Sequence, residues 1–159
     1  MNPITLVNFV DLSLAQKRMV LSWRNNPDIK KWMYTQDDIK EEDHLNFIDS
    51  LRTREDKKYF LVRKGETEIG VIDFNDIQKD SCIMGIYSNP NISGVGKLLI
   101  EEIINYGFNI LKVEKIFSEV FKKNERGINL YKKYGFKEID IKEINNQKVI
   151  CMELVNENW

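Results

Sequence analysis

Histidine occurs once in this chain of 159 residues, as His44, and cysteine twice, as Cys82 and Cys151. One imidazole makes a histidine-rich metal site, or a Ser-His-Asp triad with a second histidine, hard to build, so no metal is expected. Two widely spaced cysteines suggest buried thiols in a reducing compartment rather than a disulfide framework. Proline (3) and glycine (8) are scarce, and no linker-like stretch, repeat or low-complexity tract interrupts the chain. Residues 1–159 are therefore expected to form one domain. Neither sign of charge dominates: 24 Lys plus Arg face 25 Asp plus Glu. That balance argues against a broad basic footprint for nucleic acid, although a local basic cleft stays open. No apolar run approaches the length of a membrane span, and Met1 to Val10 lacks a basic segment followed by an apolar one. The expectation is a cytoplasmic protein with no membrane partner.

Hydrophobic patterning divides the chain into short elements. Ile4 to Val10 reads as a strand. Leu14 to Trp23 has helical spacing, with Ser13 as its N-cap and Asn25-Asn26-Pro27 as its stop. Asp38, three residues before Glu41, predicts a capping-box variant that opens a second helix through Arg52. Tyr59 to Arg63 and Glu68 to Phe74 form a hairpin about Gly65-Glu66-Thr67, and Ser81 to Tyr87 is the next strand. From Val95 the period changes: Leu99, Ile103, Tyr106 and Ile110 recur at helical intervals. Lys115 to Val120 is a strand, Glu125 to Tyr134 a helix, Phe136 to Ile144 a strand. Asn145-Asn146 turns into a last strand, Lys148 to Leu154. The order, β-α-α-β-β-β-α-β-α-β-β, predicts a mixed sheet with about four helices packed on it, of α/β or α+β class.

Chemistry concentrates where the strand ending at Tyr87 passes through Asn91-Ile92-Ser93-Gly94-Val95-Gly96-Lys97 into the long apolar helix. Gly94 and Gly96 let the backbone turn tightly and approach a ligand. The amides of Val95, Gly96 and Lys97 would be free donors at a helix N-terminus, a place suited to a diphosphate. Neither the Walker spacing nor the dinucleotide fingerprint is present, so the turn by itself equally fits a plain strand-to-helix connection.

Downstream, Asn124 follows the strand ending at Val120, and the next helix runs Leu130-Tyr131-Lys132-Lys133-Tyr134-Gly135-Phe136. Turn, asparagine and aromatic run together, from Ser81 to Phe136, resemble the Gcn5-related N-acetyltransferase superfamily in order and spacing. Asn91 departs from the family's usual Gln or Arg at the start of the turn. The resemblance implies acetyl-CoA as co-substrate and a central sheet splayed between two parallel strands, here Ser81 to Tyr87 and Lys115 to Val120. It places the pantetheine arm between them and the diphosphate on Gly94, Val95, Gly96 and Lys97, with Asn124 nearby. It also implies direct attack by an amine, a backbone amide near Ile86 or Tyr87 polarising the thioester carbonyl, and Tyr131 protonating the departing sulfur. A phenol, with its usual pKa of about 10, can donate at neutral pH. No carboxylate stands on the strand Ser81 to Tyr87, so the base is expected to be ordered water. Tyr131 also fits a plain packing role. Tyr134 and Phe136 are expected in the core.

The N-terminal half narrows the acceptor. Trp23-Arg24-Asn25, Pro27-Asp28-Ile29 and His44-Leu45, with Lys58 to Val62, Ile69 to Phe74 and Ser81 to Tyr87, resemble the pseudaminic-acid pathway N-acetyltransferases of flagellated bacteria. That resemblance implies a UDP-linked amino sugar as partner, acetylated on its C4 amine. Arg24 could grip a diphosphate or stack on uracil, or could simply form a helix-end salt bridge. His44 either contacts the nucleotide or is a satisfied histidine on the face of Ile48 and Leu51. Lys79 and Tyr87 are candidates for phosphate and uracil. A protein N-terminal or small-amine acetyltransferase, and a non-catalytic acyl-CoA-binding module, are the competing expectations. The strand Lys148 to Leu154 offers an edge through which a homodimer could pair.

Overall fold

The computed structural model describes residues 2–157, so Met1, Asn158 and Trp159 lie outside the described residues. Seven strands form one sheet: β1 (Ile4–Asn8), β2 (Lys58–Lys64), β3 (Thr67–Asn75), β4 (Ser81–Ser88), β5 (Lys115–Phe121), β6 (Lys137–Ile144) and β7 (Gln147–Val155). Their spatial order is β1-β2-β3-β4-β5-β7-β6. Every neighbouring pair is antiparallel except β4 and β5, which run parallel.

Helices cover both faces. α4 (Gly96–Asn105), extended by a π-helical turn over Tyr106–Ile110, packs Leu99, Ile100 and Ile103 on one face against Phe60, Ile72, Phe74 and Ile116. Full burial of each such side chain contributes about 1.5–3 kcal/mol. The other face carries Leu61, Val71 and Tyr87, under Val20 and Trp23 of α1 (Leu14–Arg24) and Ile48 of α3 (Glu41–Ser50). α5 (Glu125–Lys133) follows β5. Among the described residues no helix is long and apolar enough to cross a membrane.

Local signals account for most boundaries. Ser13 and Gln16 close a full capping box on α1. Asn145 and Asn146 both take left-handed φ (51° and 64°), which joins β6 to β7 as a two-residue hairpin. Two expectations are corrected and one is extended. Asp38 caps nothing: it pairs with Lys30 (2.7 Å), and α3 starts at Glu41 behind Lys40 without a side-chain cap. The Asn26-Pro27 step that ends α1 also starts the short α2 (Pro27–Lys30), because Asn26 caps the amide of Asp28 and proline suits a first helical position. The strand β7 offers no edge for a homodimer, since β5 and β6 flank it on both sides. The sheet ends at β1 and β6 instead, and β6 is blunted by alternating charges and a bulge near Glu138. Cys82 is buried and Cys151 only partly so, both as free thiols.

Candidate active site

The parallel pair opens part-way along. β4 and β5 pair only at Ser81↔Lys115, Cys82↔Ile116 and Ile83↔Phe117. Beyond that point β4 stays with β3 through Ser88, and β5 stays with β7 through Phe121. The gap is a cleft of about 660 Å³ walled by Gly85, Ile86 and Tyr87 on one side and Ser118, Glu119 and Val120 on the other. Its roof comes from Arg24 of α1, the 32–35 segment, and His44 and Phe47 of α3. Where the strands part, the buried Ser118 hydroxyl has no hydrogen-bond partner among the described residues. An unpaired polar group at that depth is costly unless a ligand supplies its partner.

A polar cluster sits on the cleft wall. Asp73 of β3 is 7% exposed and lies in register with Tyr59 of β2 and Gly85 of β4. Asn75 donates from Nδ2 to Asp73 Oδ1 (2.7 Å), while its own Oδ1 accepts from Lys57 Nζ (2.7 Å) and the Tyr59 hydroxyl (3.1 Å). The Lys57 ammonium can only donate, so it holds the amide oxygen of Asn75 toward itself and turns the amide nitrogen toward the carboxylate. Burial raises the Asp73 carboxyl to about 6, against the opposing pull of the Asn75 bond and the Lys57 charge.

At the far end of the gap, Asn124 caps α5, its Oδ1 accepting from the Gly127 amide (3.0 Å). Tyr131, on the same helix, lines the cleft and packs on Phe136, ring centroids 5.8 Å apart. Burial, and then the Asp73 charge, push its phenol up to about 12, so it is protonated at neutral pH. Past β4, Gly94 turns at φ 76° with no atom within 4 Å of where a Cβ would stand. Helix α4 begins at Gly96 with no side-chain cap on Val95, which leaves the amides from Val95 to Leu98 without helical partners.

The roof brings a cation to the cleft in Arg24. Arg24 donates from Nη2 to the Thr35 carbonyl (3.2 Å), but its buried Nη1 has no partner among the described residues. Burial lowers its pKa, with Tyr87 and Tyr59 as its nearest electrostatic neighbours. His44 bonds through Nε2 to the Lys17 carbonyl (2.8 Å), which makes Nε2 the protonated nitrogen and leaves Nδ1 as an acceptor. Burial lowers its pKa as well, so the ring is neutral. Tyr34 crosses from the roof to β5, its hydroxyl donating to Glu119, which Lys142 also holds (2.7 Å).

Comparison with known proteins decides the family. Residues 7–137 match the model of the acetyltransferase (GNAT) domain. Acetyltransferase PseH of Campylobacter jejuni subsp. jejuni serotype O:23/36 is 44% identical over 133 residues, which is 84% of each chain. This chain belongs to the GNAT acetyltransferases. The crystal structure of C. jejuni N-acetyltransferase PseH in complex with acetyl coenzyme A superposes with a TM-score of 0.82 at 35% identity, over 98% of this chain and 100% of the other. Spermidine N-acetyltransferase from Vibrio cholerae, in complex with CoA and spermine, gives 0.86 over 96% and 95% of the chains. At 23% identity it shares the fold alone.

Most residues expected of the site meet in this GNAT domain. Tyr131, Asn124, Ile86, Tyr87, Arg24 and His44 line one cleft. Gly94, Val95, Gly96 and Lys97 form the turn beyond it, outside the cleft wall. Lys79 is not brought to the cleft: it stands exposed in the β3–β4 connection, at the end where β4 and β5 are still paired. Lys57 is the cleft's lysine instead. Tyr134 reaches the core only at its rim: it is partly buried, packs against the main cluster and donates to Glu101 (2.7 Å), whereas Phe136 is buried. Sequence reasoning missed Asp73, Asn75 and Lys57. The one available signal was a lone carboxylate inside the apolar run Ile69 to Phe74.

Proposed function

We propose that this acetyltransferase moves the acetyl group of acetyl-CoA to the C4 amine of UDP-4-amino-4,6-dideoxy-N-acetyl-β-L-altrosamine, a step in pseudaminic acid biosynthesis for flagellin glycosylation. The unpartnered guanidinium nitrogen of Arg24, buried in the roof of the cleft, carries the acceptor assignment. A desolvated cation calls for an anion, and a nucleotide diphosphate presents oxygens that match the guanidinium fork. His44 and Tyr87, which line the same cleft, supply an imidazole acceptor and an aromatic ring for the sugar nucleotide.

The residues of the splay suit acetyl-CoA. Backbone groups of β4 and β5 beyond Ile83 and Phe117 are free of each other, and Ser118 keeps an unused hydroxyl. The uncapped start of α4, reached through the open turn at Gly94, suits the diphosphate. Acetyl-CoA brings the activated acyl thioester. The amide at Ile86 or Tyr87 polarises the acyl oxygen. The amine nitrogen bonds to the acyl carbon directly, with no acyl-enzyme. Tyr131 then gives its phenolic proton to the departing sulfur, and Asn124 orients the pantetheine arm with its free amide nitrogen. The carboxylates of Asp73 and Glu119 on the cleft wall favour a second reading, a cationic small amine or peptide N-terminus as acceptor. Arg24 opposes it.

Thiol release from acetyl-CoA, measured with the UDP-amino sugar, spermidine and peptide amines in parallel, tests the assignment. Turnover on the UDP-amino sugar alone is the expected result. Turnover on peptide or polyamine without the sugar would replace the acceptor. Acetyl-CoA binding with no turnover on any amine would leave a non-catalytic acyl-CoA-binding module.

A further inference from the structure

Two carboxylates line the cleft, and only one is free to accept a proton. Glu119 already has a donor on each oxygen, the Tyr34 hydroxyl on Oε1 and Lys142 Nζ on Oε2. Asp73 accepts from Asn75 on Oδ1, and its Oδ2 accepts no hydrogen bond among the described residues. Its carboxylate lies over Gly85, two residues beyond the last paired position of β4: a Cβ at Gly85 would stand 2.7 Å from Oδ2. The free oxygen therefore looks onto the strand segment where the splay begins. Resting on the N-acetyltransfer reading above, we infer that Asp73 is the group that takes the proton from the attacking amine, and that Asn75 is its positioning residue, locked by Lys57 and Tyr59.

The step balances. The amine lone pair forms the C–N bond at the acyl carbon, and the nitrogen becomes positively charged and strongly acidic. Its proton passes to Asp73 Oδ2. As the C–S bond breaks, sulfur takes the Tyr131 proton, and the Asp73 proton restores the phenol through water in the cleft. The products are an amide and a thiol, with both side chains returned to their starting state. A carboxyl that titrates at about 6 is ionised at pH 7 yet basic enough to accept this proton, which is the match a general base needs. The groups that face Asp73 are Lys57 just before β2, Tyr59 on β2, Tyr87 on β4 and Tyr131 on α5, with Arg24 of α1 acting on both Tyr59 and Tyr87. The three tyrosines all have raised pKa values, so Asp73, Lys57 and Arg24 are the members of this set that carry its charge near neutrality.

The test is the pH dependence of kcat at saturating acetyl-CoA and acceptor for wild type, Asp73→Asn, Asn75→Ala and Lys57→Met. Acetyl-CoA affinity and thermal unfolding are measured on each. Wild type is expected to lose activity below about pH 6. Asp73→Asn is expected to lose about 100-fold or more in kcat, to lose that acid limb and to keep its acetyl-CoA affinity. Asn75→Ala and Lys57→Met remove a donor and a positive charge that favour the carboxylate, so their acid limbs move to higher pH. The acceptor amine titrates identically with every variant and cannot produce that shift. Should Asp73→Asn fail to fold, the two limb shifts decide the matter. A limb that stays put in Asn75→Ala and Lys57→Met, or an Asp73→Asn rate within about twofold of wild type, overturns the assignment. Wild type that binds acetyl-CoA yet turns over no amine overturns the acetyltransferase reading along with it.

Discussion

The Asp73 carboxylate occupies the space that a side chain at position 85 would fill: a Cβ on Gly85 would stand 2.7 Å from Oδ2 and nearer still to Oδ1. Gly85→Ala is therefore expected to push the carboxylate off its hydrogen bond with Asn75. The cost should be about 1–3 kcal/mol in stability, as for overpacking elsewhere, with a fall of at least tenfold in kcat. Chemical denaturation of Gly85→Ala in wild-type and Asp73→Ala backgrounds checks the cause. The penalty should shrink to under about 1 kcal/mol once the carboxylate is gone.

Tyr131→Phe removes the proton donor while keeping the ring that packs on Phe136. The expected outcome is a fall in kcat of about 100-fold with little change in acetyl-CoA KM. Because the phenol titrates at about 12, wild type should show no alkaline loss of rate from Tyr131 below about pH 11. Steady-state rates from pH 6 to pH 10 for both proteins measure this.

Arg24→Ala should raise the KM for the UDP-amino sugar by roughly 10- to 100-fold, about 1.4–2.7 kcal/mol, and leave kcat less affected. Its melting temperature should hold or rise, because a desolvated cation with an unpartnered nitrogen is removed. Arg24→Lys keeps the charge without the planar fork and should recover only part of the affinity. Titration with UDP alone separates nucleotide binding from sugar binding.

Asp73 also shapes stability against pH. Folding raises this carboxyl from 3.8 to about 6, so the folded protein holds the proton more tightly than the unfolded chain. Stability from this group is present below about pH 4 and is lost as pH rises through about 6. The loss amounts to about 3 kcal/mol at most. Asp73→Asn does not titrate, so its advantage over wild type should widen from pH 4 to pH 8. Denaturant unfolding at the two pH values reads the difference.

Local chemistry made the elements legible. Ser13 at the start of α1 and Asn145-Asn146 between β6 and β7 act within a few residues of chain, and each behaves as its residue types require. The apolar stripe of α4 and the turn at Gly94 are local in the same sense. Asp38 was misread because Lys30, its partner, approaches only after α2 folds. The edge was misread because β7, although hairpinned to β6, inserts between β6 and β5, and chain order does not encode that choice.

The resemblance carried by the motifs from Ser81 to Phe136 pointed to the family, and the sequence by itself determined the alternation of strands and helices, the glycine turn into α4, and the helix of Tyr131, because these rest on periodicity and backbone conformations that a short segment sets alone. The tertiary structure decided where the parallel strands part, at Ile83 and Phe117, and which groups gather there. It brought Lys57, Asp73 and Asn75 into one hydrogen-bonded row, left Arg24 Nη1 unpaired in the roof, and kept Lys79 away. Desolvation and hydrogen-bond partners depend on everything packed around a group. An aspartate inside an apolar run therefore becomes a carboxyl titrating near neutrality only when the sheet and the helices over it have closed.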